Sequence, residues 1–139
     1  MYQVRNGTFK DVQDLDKRSI EPGPFVWTED DFIGCTIRVI EFSGQPIAIF
    51  FFQEHGDGII SLGCEFDKDL IKHLRAVLYI GREMLREYGY NVINTQVQEE
   101  WPKGKKFLER LGFEPQKTVE KNPRNGVLYR VYRRIMQWQ

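Results

Sequence analysis

Residues 59–98 read IISLGCEFDKDLIKHLRAVLYIGREMLREYGYNVINTQVQ. Ile59 to Phe66 has the length and composition of a strand. Leu70, Leu74, Val77, Leu78, Gly81, Met84, Leu85 and Tyr88 then recur at three- and four-residue steps, which predicts one long helix with an inward stripe. Gly89 stands where helices usually stop, and Asn91 to Gln98 resumes as a strand. A strand, a helix and a strand in this order bring the two strands side by side in parallel through a right-handed crossover.

Upstream, two further strands precede this unit. Thr36 to Phe42 and Pro46 to Gln53 form a hairpin around Ser43-Gly44-Gln45. Ile47 to Phe52 is apolar at every position, the pattern of a strand covered on both faces. Tyr2 to Gly7 reads as an opening strand. Thr8, with Asp11 three residues on, caps a first helix striped by Phe9, Val12, Leu15 and Ile20. Glu21-Pro22-Gly23-Pro24 breaks that helix, and Thr28 to Ile33 allows one more turn. Downstream, Trp101-Pro102 opens a short helix with Phe107, Leu108 and Leu111 inward, closed by Gly112. Val127 to Ile135 is the last strand, after a turn at Asn122 to Gly126. The expected fold is α/β in the broad sense: a mixed, mostly antiparallel sheet of six or seven strands with helices on both faces, forming a single domain over residues 1–139.

Composition agrees with a folded chain. Apolar residues make up 41% and aromatic residues 14% of 139. Cys35 and Cys64 have neither disulfide nor metal spacing, and His55 and His73 make no zinc pattern with them, so no metal is expected. No apolar run reaches membrane-spanning length, and the N-terminus does not resemble a signal peptide. A soluble protein of the cytoplasm is expected. Charge is split: residues 1–67 carry 5 Lys/Arg against 12 Asp/Glu, and residues 68–139 carry 15 against 8. A basic C-terminal half admits nucleic acid as a partner, although attraction between the two halves within one domain accounts for it more simply.

The element order, with Lys106 to Phe113 (KFLERLGF), resembles the GCN5-related N-acetyltransferase (GNAT) fold. That resemblance implies an acetyl-CoA site. It also draws attention to three departures. No glycine follows Gly63 through Asp69, where the family has a glycine loop around the CoA pyrophosphate, and Glu65, Asp67 and Asp69 crowd the same stretch. Leu108 stands where the family often has a tyrosine acid, and Trp101 where it often has an asparagine. The chain also resembles, through Gly44 to Ile49 and its Phe-Leu pair, the small GNAT-like internal virion or assembly proteins of T7-like podophages. The function this implies is a non-catalytic interaction or structural protein, in host cytoplasm or virion, with protein partners and no cofactor. The alternative is an acetyl-CoA-dependent N-acetyltransferase with an atypical pyrophosphate loop. If CoA binds, the resemblance assigns it Gly63, Cys64, Lys68, Leu70 and Phe107.

Glu99 follows the strand that splays in that fold and is the candidate general base. Trp27, Trp101, Lys103, Lys106, Arg110 and Arg133 are candidates for partner binding, because Trp and Arg dominate interfaces and basic-aromatic surfaces track nucleic-acid backbones.

Overall fold

The computed structural model describes residues 1–22 and 27–136. Seven strands make one sheet, in the order β1-β2-β3-β4-β5-β7-β6. They are β1 (Tyr2–Asn6), β2 (Thr36–Phe42), β3 (Gln45–Glu54), β4 (Ile59–Phe66), β5 (Val92–Gln98), β6 (Glu114–Lys121) and β7 (Leu128–Ile135). All neighbours are antiparallel except β4 and β5, which the crossover helix α2 (Leu74–Glu87) joins in parallel, as the sequence predicts. α1 (Phe9–Asp16) covers one face of the sheet. α2 and α3 (Pro102–Arg110) cover the other.

The alternation of β3 and β4 builds two cores. On the α2 and α3 face, Phe50, Phe52, Leu62 and Phe66 pack with Val77, Leu78, Leu85 and Phe107. On the α1 face, Ile49 and Phe51 pack with Val12, Leu15 and Phe32. β3 is buried on both sides, so its unbroken apolar run is a central strand.

Three details differ from the sequence reading. β6 (EPQKTVEK) is a strand the pattern does not show. It is an edge strand, almost wholly exposed, so no apolar alternation marks it. The segment before α2 is a separate 3-10 turn at Leu70–His73. α1 ends at Asp16, and Ile20 instead donates its N–H to the Phe66 carbonyl at 3.1 Å. With the Ser19–Asp67 bridge, this lays residues 18–20 along the end of β4.

Candidate functional site

β4 and β5 pair only from Ile59–Val92 to Ser61–Asn94, and then part. The edge of β4 facing the gap can be followed atom by atom. The Leu62 carbonyl accepts from Thr95 Oγ1 at 2.7 Å, and the Phe66 carbonyl accepts from Ile20. Main-chain groups alternate along a strand, so the Cys64 N–H and C=O point into the same gap, between those two tethers. Beyond Ser61 no strand pairs this edge of β4, and the Cys64 N–H and C=O lie on its unpaired stretch.

An opening lies on each face of the sheet beside this gap. On the α2 and α3 face is an apolar groove of about 250 Å³, lined by Ile20, Phe66, Leu70, Leu74, Trp101 and Phe107. Lys103, Lys106 and Arg110 stand at its side. On the α1 face is a larger cleft of about 620 Å³, bounded by Glu21, Trp27, Phe51, Gly63, Tyr129 and Arg133 among others.

Glu21 lines the cleft, and two more carboxyls lie near it, off the cleft wall. Glu21 Oε1 accepts from Gln98 Nε2 at 2.9 Å, so this side chain reaches across the gap to the end of β5. Glu65 lies beneath, 1% exposed, with Oε1 accepting from Trp27 Nε1 at 3.3 Å. Asp16 lies within hydrogen-bonding reach of Glu65. Asp16 Oδ1 and Glu65 Oε2 have no other donor among the described residues, and a shared proton satisfies both. Burial, then the charges of Asp16 and Glu21, pushes the Glu65 carboxyl up to about 8. Burial likewise raises Glu21 and Asp16.

One residue of the cleft wall, Asp31, is held in an ion pair. Arg124, in the β6–β7 turn, holds Asp31 of the 3-10 turn Glu29–Phe32 through two bonds of 2.6 and 2.8 Å. The Arg124 guanidinium draws the Asp31 carboxyl down to about 2.

The sequence-predicted residues sort onto different faces. Leu70, Phe107, Trp101, Lys103, Lys106 and Arg110 do meet, around the apolar groove. Cys64 contributes main chain at the gap, and its thiol is raised by burial. Gly63 faces the cleft, where a Cβ would overlap the Phe51 ring. Lys68 faces a separate small recess with Arg18 and His73. Arg133 stands in the cleft, Nε donating to Asn94 Oδ1 at 3.0 Å, on the opposite face from Lys103 and Lys106. The basic and aromatic residues therefore make two separate surfaces. Trp27 is half-buried, edge-on to Phe51 with ring centroids 5.0 Å apart. Phe25, Val26 and Trp138 lie outside the described residues. Glu99 is clamped by Arg130 at 2.7 Å and Lys105 at 3.3 Å. The Arg130 guanidinium first, then Lys105, holds its carboxyl at about 2, which makes it a poor proton acceptor.

The crowding of carboxylates at the α2 N-terminus needs correction. Glu65 points through to the α1 face. Asp67 is tied to Arg18 at 2.8 Å and accepts from the Asp69 N–H at 2.8 Å. Only Asp69 is exposed there, 3.9 Å from Lys72. Glu21, Asp16 and Gln98 are site residues that the sequence reading does not single out.

No family model matches the chain, and no curated protein matches it. Solved structures do. Three are the ribosomal-protein-S18-alanine N-acetyltransferase from Escherichia coli, an N-acetyltransferase from Staphylococcus aureus Mu50, and the spermidine/spermine N-acetyltransferase SpeG from Vibrio cholerae. Identities are 16%, 13% and 11%, and TM-scores 0.76, 0.71 and 0.69. The matches cover 100%, 97% and 96% of this chain, and 96%, 97% and 92% of those chains. The chain has the fold of the GNAT acetyltransferases, a mixed seven-stranded sheet between helices. At these identities the likeness establishes the fold alone. No helix among the described residues is long and apolar enough to cross a membrane.

Proposed function

We propose that the protein is an acyl-CoA-dependent N-acyltransferase whose amine acceptor enters the 620 Å³ cleft. The observation that carries this reading is the opening of the sheet at Cys64. It lies between a groove that suits an apolar arm and a cleft that Glu21 lines. The residues present fit the donor. Leu70, Leu74 and Phe107 offer its arm an apolar wall, and Lys103, Lys106 and Arg110 offer its phosphates positive charge where a glycine loop is lacking. Bound there, the donor would supply an acyl group activated as a thioester.

The chain's own residues would do the rest. Glu21 reaches the gap, and burial raises its carboxyl above the usual range, which makes it a better proton acceptor than an ordinary glutamate. Gln98 fixes its orientation. The Cys64 N–H, on the edge that no strand pairs beyond Ser61, is a donor suited to a developing oxyanion. Leu108 is buried in the core and takes no part, so protonation of the leaving thiolate would fall to solvent.

A specific observation favours the second reading, a non-catalytic protein of the kind the podophage resemblance implies. Among the described residues no glycine lies between Gly63 and Gly81, and a 3-10 turn occupies the approach to α2. Titration of the purified chain with acetyl-CoA separates the two. Saturable binding, with thioester loss that depends on added amine, supports the enzyme. A melting temperature unmoved by millimolar acetyl-CoA supports the interaction protein, since a ligand at 100 times its Kd stabilises by about 2.7 kcal/mol.

A further inference from the structure

The charge split between the two halves of the sequence becomes a split between the two faces of the sheet. On the α1 face, residues 9–16 and 29–32 carry 1 Lys against 6 Asp/Glu. On the other face, residues 70–87 and 102–110 carry 8 Lys/Arg against 3 Glu. The sheet stands between them, so the halves do not neutralise each other. Among the described residues, Arg124–Asp31 is the one ion pair that joins residues 1–67 to residues 68–139. The basic side is also ordered. Lys72, Arg75, Tyr79, Arg82 and Arg86 follow at three- and four-residue steps, in one stripe along α2 and the turn before it. All five are exposed, Tyr79 to 65%. Lys103, Lys106 and Arg110 repeat the spacing on α3 and are exposed as well. Arg82 donates from Nε and Nη2 to the Arg110 carbonyl at 3.0 and 2.8 Å, which fastens the two stripes side by side. Glu83 is taken by Arg86 at 2.9 Å, and Glu87 and Glu109 are the remaining acids of these elements. No carboxylate of the described residues forms an ion pair with Arg75, Arg82, Lys106 or Arg110.

We propose that this face binds the backbone of a single-stranded nucleic acid. The site does not depend on the acyltransferase reading. A row of cations along a helix is complementary in charge to a row of phosphates. From Lys72 to Arg86 the stripe runs about 20 Å at the helical rise, room for about four to six nucleotides. Tyr79 stands midway, and an exposed phenol ring among cations is a platform on which an unpaired base stacks. A lipid surface fits less well. The apolar face that an interfacial helix would offer to lipid is, in α2, Val77, Leu78 and Leu85, all closed in the core. The α3 cations also stand beside the apolar groove, whereas Arg75, Tyr79 and Arg86 do not line it. The α2 stripe is therefore where a nucleic-acid surface and an acyl-donor groove can be told apart.

The test is fluorescence anisotropy of a labelled 12-nucleotide single strand of mixed sequence, titrated with the full chain and no acyl donor. Saturable binding is expected, weakening at least tenfold between about 50 and about 200 mM salt as phosphate contacts are lost. The double variant Arg75→Glu with Arg86→Glu should weaken it at least tenfold more, and Tyr79→Ala about fivefold, with melting curves showing each variant folded. The unlabelled duplex of the same sequence should compete more weakly than the single strand. No saturable binding at the lower salt, affinity indifferent to salt, or affinity unchanged in the double variant would overturn the proposal. So would a duplex that competes better than the single strand, or phosphatidylserine vesicles that bind the chain when the oligonucleotide does not. Acetyl-CoA titrated separately into the Arg75→Glu, Arg86→Glu chain reports on the groove alone, so either reading can fail without the other.

Discussion

The two faces of β4 differ sharply, although they alternate residue by residue. Leu62 and Phe66 face α3, where Phe66 and Phe107 pack edge to face with ring centroids 4.7 Å apart. Ser61, Gly63 and Glu65 face the cleft side, where the strand meets Trp27, Asp16 and the polar wall of β5. One face has the dry packing of a core, and the other has a buried acid held close to neutral pH. A strand's period of two is enough to produce both from eight residues.

Phe107→Ala attacks the dry face and should cost most, about 3–5 kcal/mol of unfolding free energy by urea titration. Its ring is nearly fully buried against Phe66 and Phe50, so the cavity has no easy way to collapse. A loss under 1 kcal/mol would mean that the groove is soft and that this face is no fixed wall.

Glu65→Gln attacks the wet face and should stabilise. Its folded-state pKa is raised from 4.5 to about 8, so between those values the native state holds a proton that the unfolded state has released. Wild-type stability therefore falls as pH rises through this window, and the variant's does not. The variant's advantage should grow from near zero at pH 4 to on the order of 2 kcal/mol at pH 7. Melting curves at the two pH values check it.

Gly63→Ala sharpens the same face. A methyl group there meets the Phe51 ring, which Trp27 and Phe32 already hold, so overpacking should cost about 1.5 kcal/mol. The smallest effect belongs to the Asp31 ion pair. Arg124→Ala removes a partly exposed bridge and should lower the melting temperature only slightly. Asp31 is lowered from 3.8 to about 2, so the bridge stabilises above pH 4, and the wild-type advantage should vanish as pH falls through 2.

The same alternation explains what could be read in the sequence. The strand-helix-strand unit at residues 59–98, the hairpin and the short helix carry strong apolar periodicity, and the fold follows from them. Gly-Cys-Glu-Phe-Asp-Lys-Asp, read in a line, looks like one acidic patch at a helix start. Folded, it sends Glu65 to one face and Phe66 to the other, and it ties Asp67 to Arg18. The groove residues Leu70, Trp101, Phe107 and Lys106 could be found because they sit on or just before helices with clear faces. Glu21 could not, because it sits inside a helix-breaking Glu-Pro-Gly-Pro run, and the long-range tethers of residues 18–20 to the end of β4 bring it to the gap. β6 left no signal because both its faces are exposed.

The proposed function needs the opening of the sheet at Cys64 to be a binding edge between two unlike faces. Amide chemical shifts of the full chain, followed during an acetyl-CoA titration, report on that edge. The Cys64 N–H is expected to move furthest, with Leu70 and residues 103–107 following it to the same saturation point. Shifts that leave Cys64 unmoved at saturating ligand, or no saturable shift at all, would contradict it.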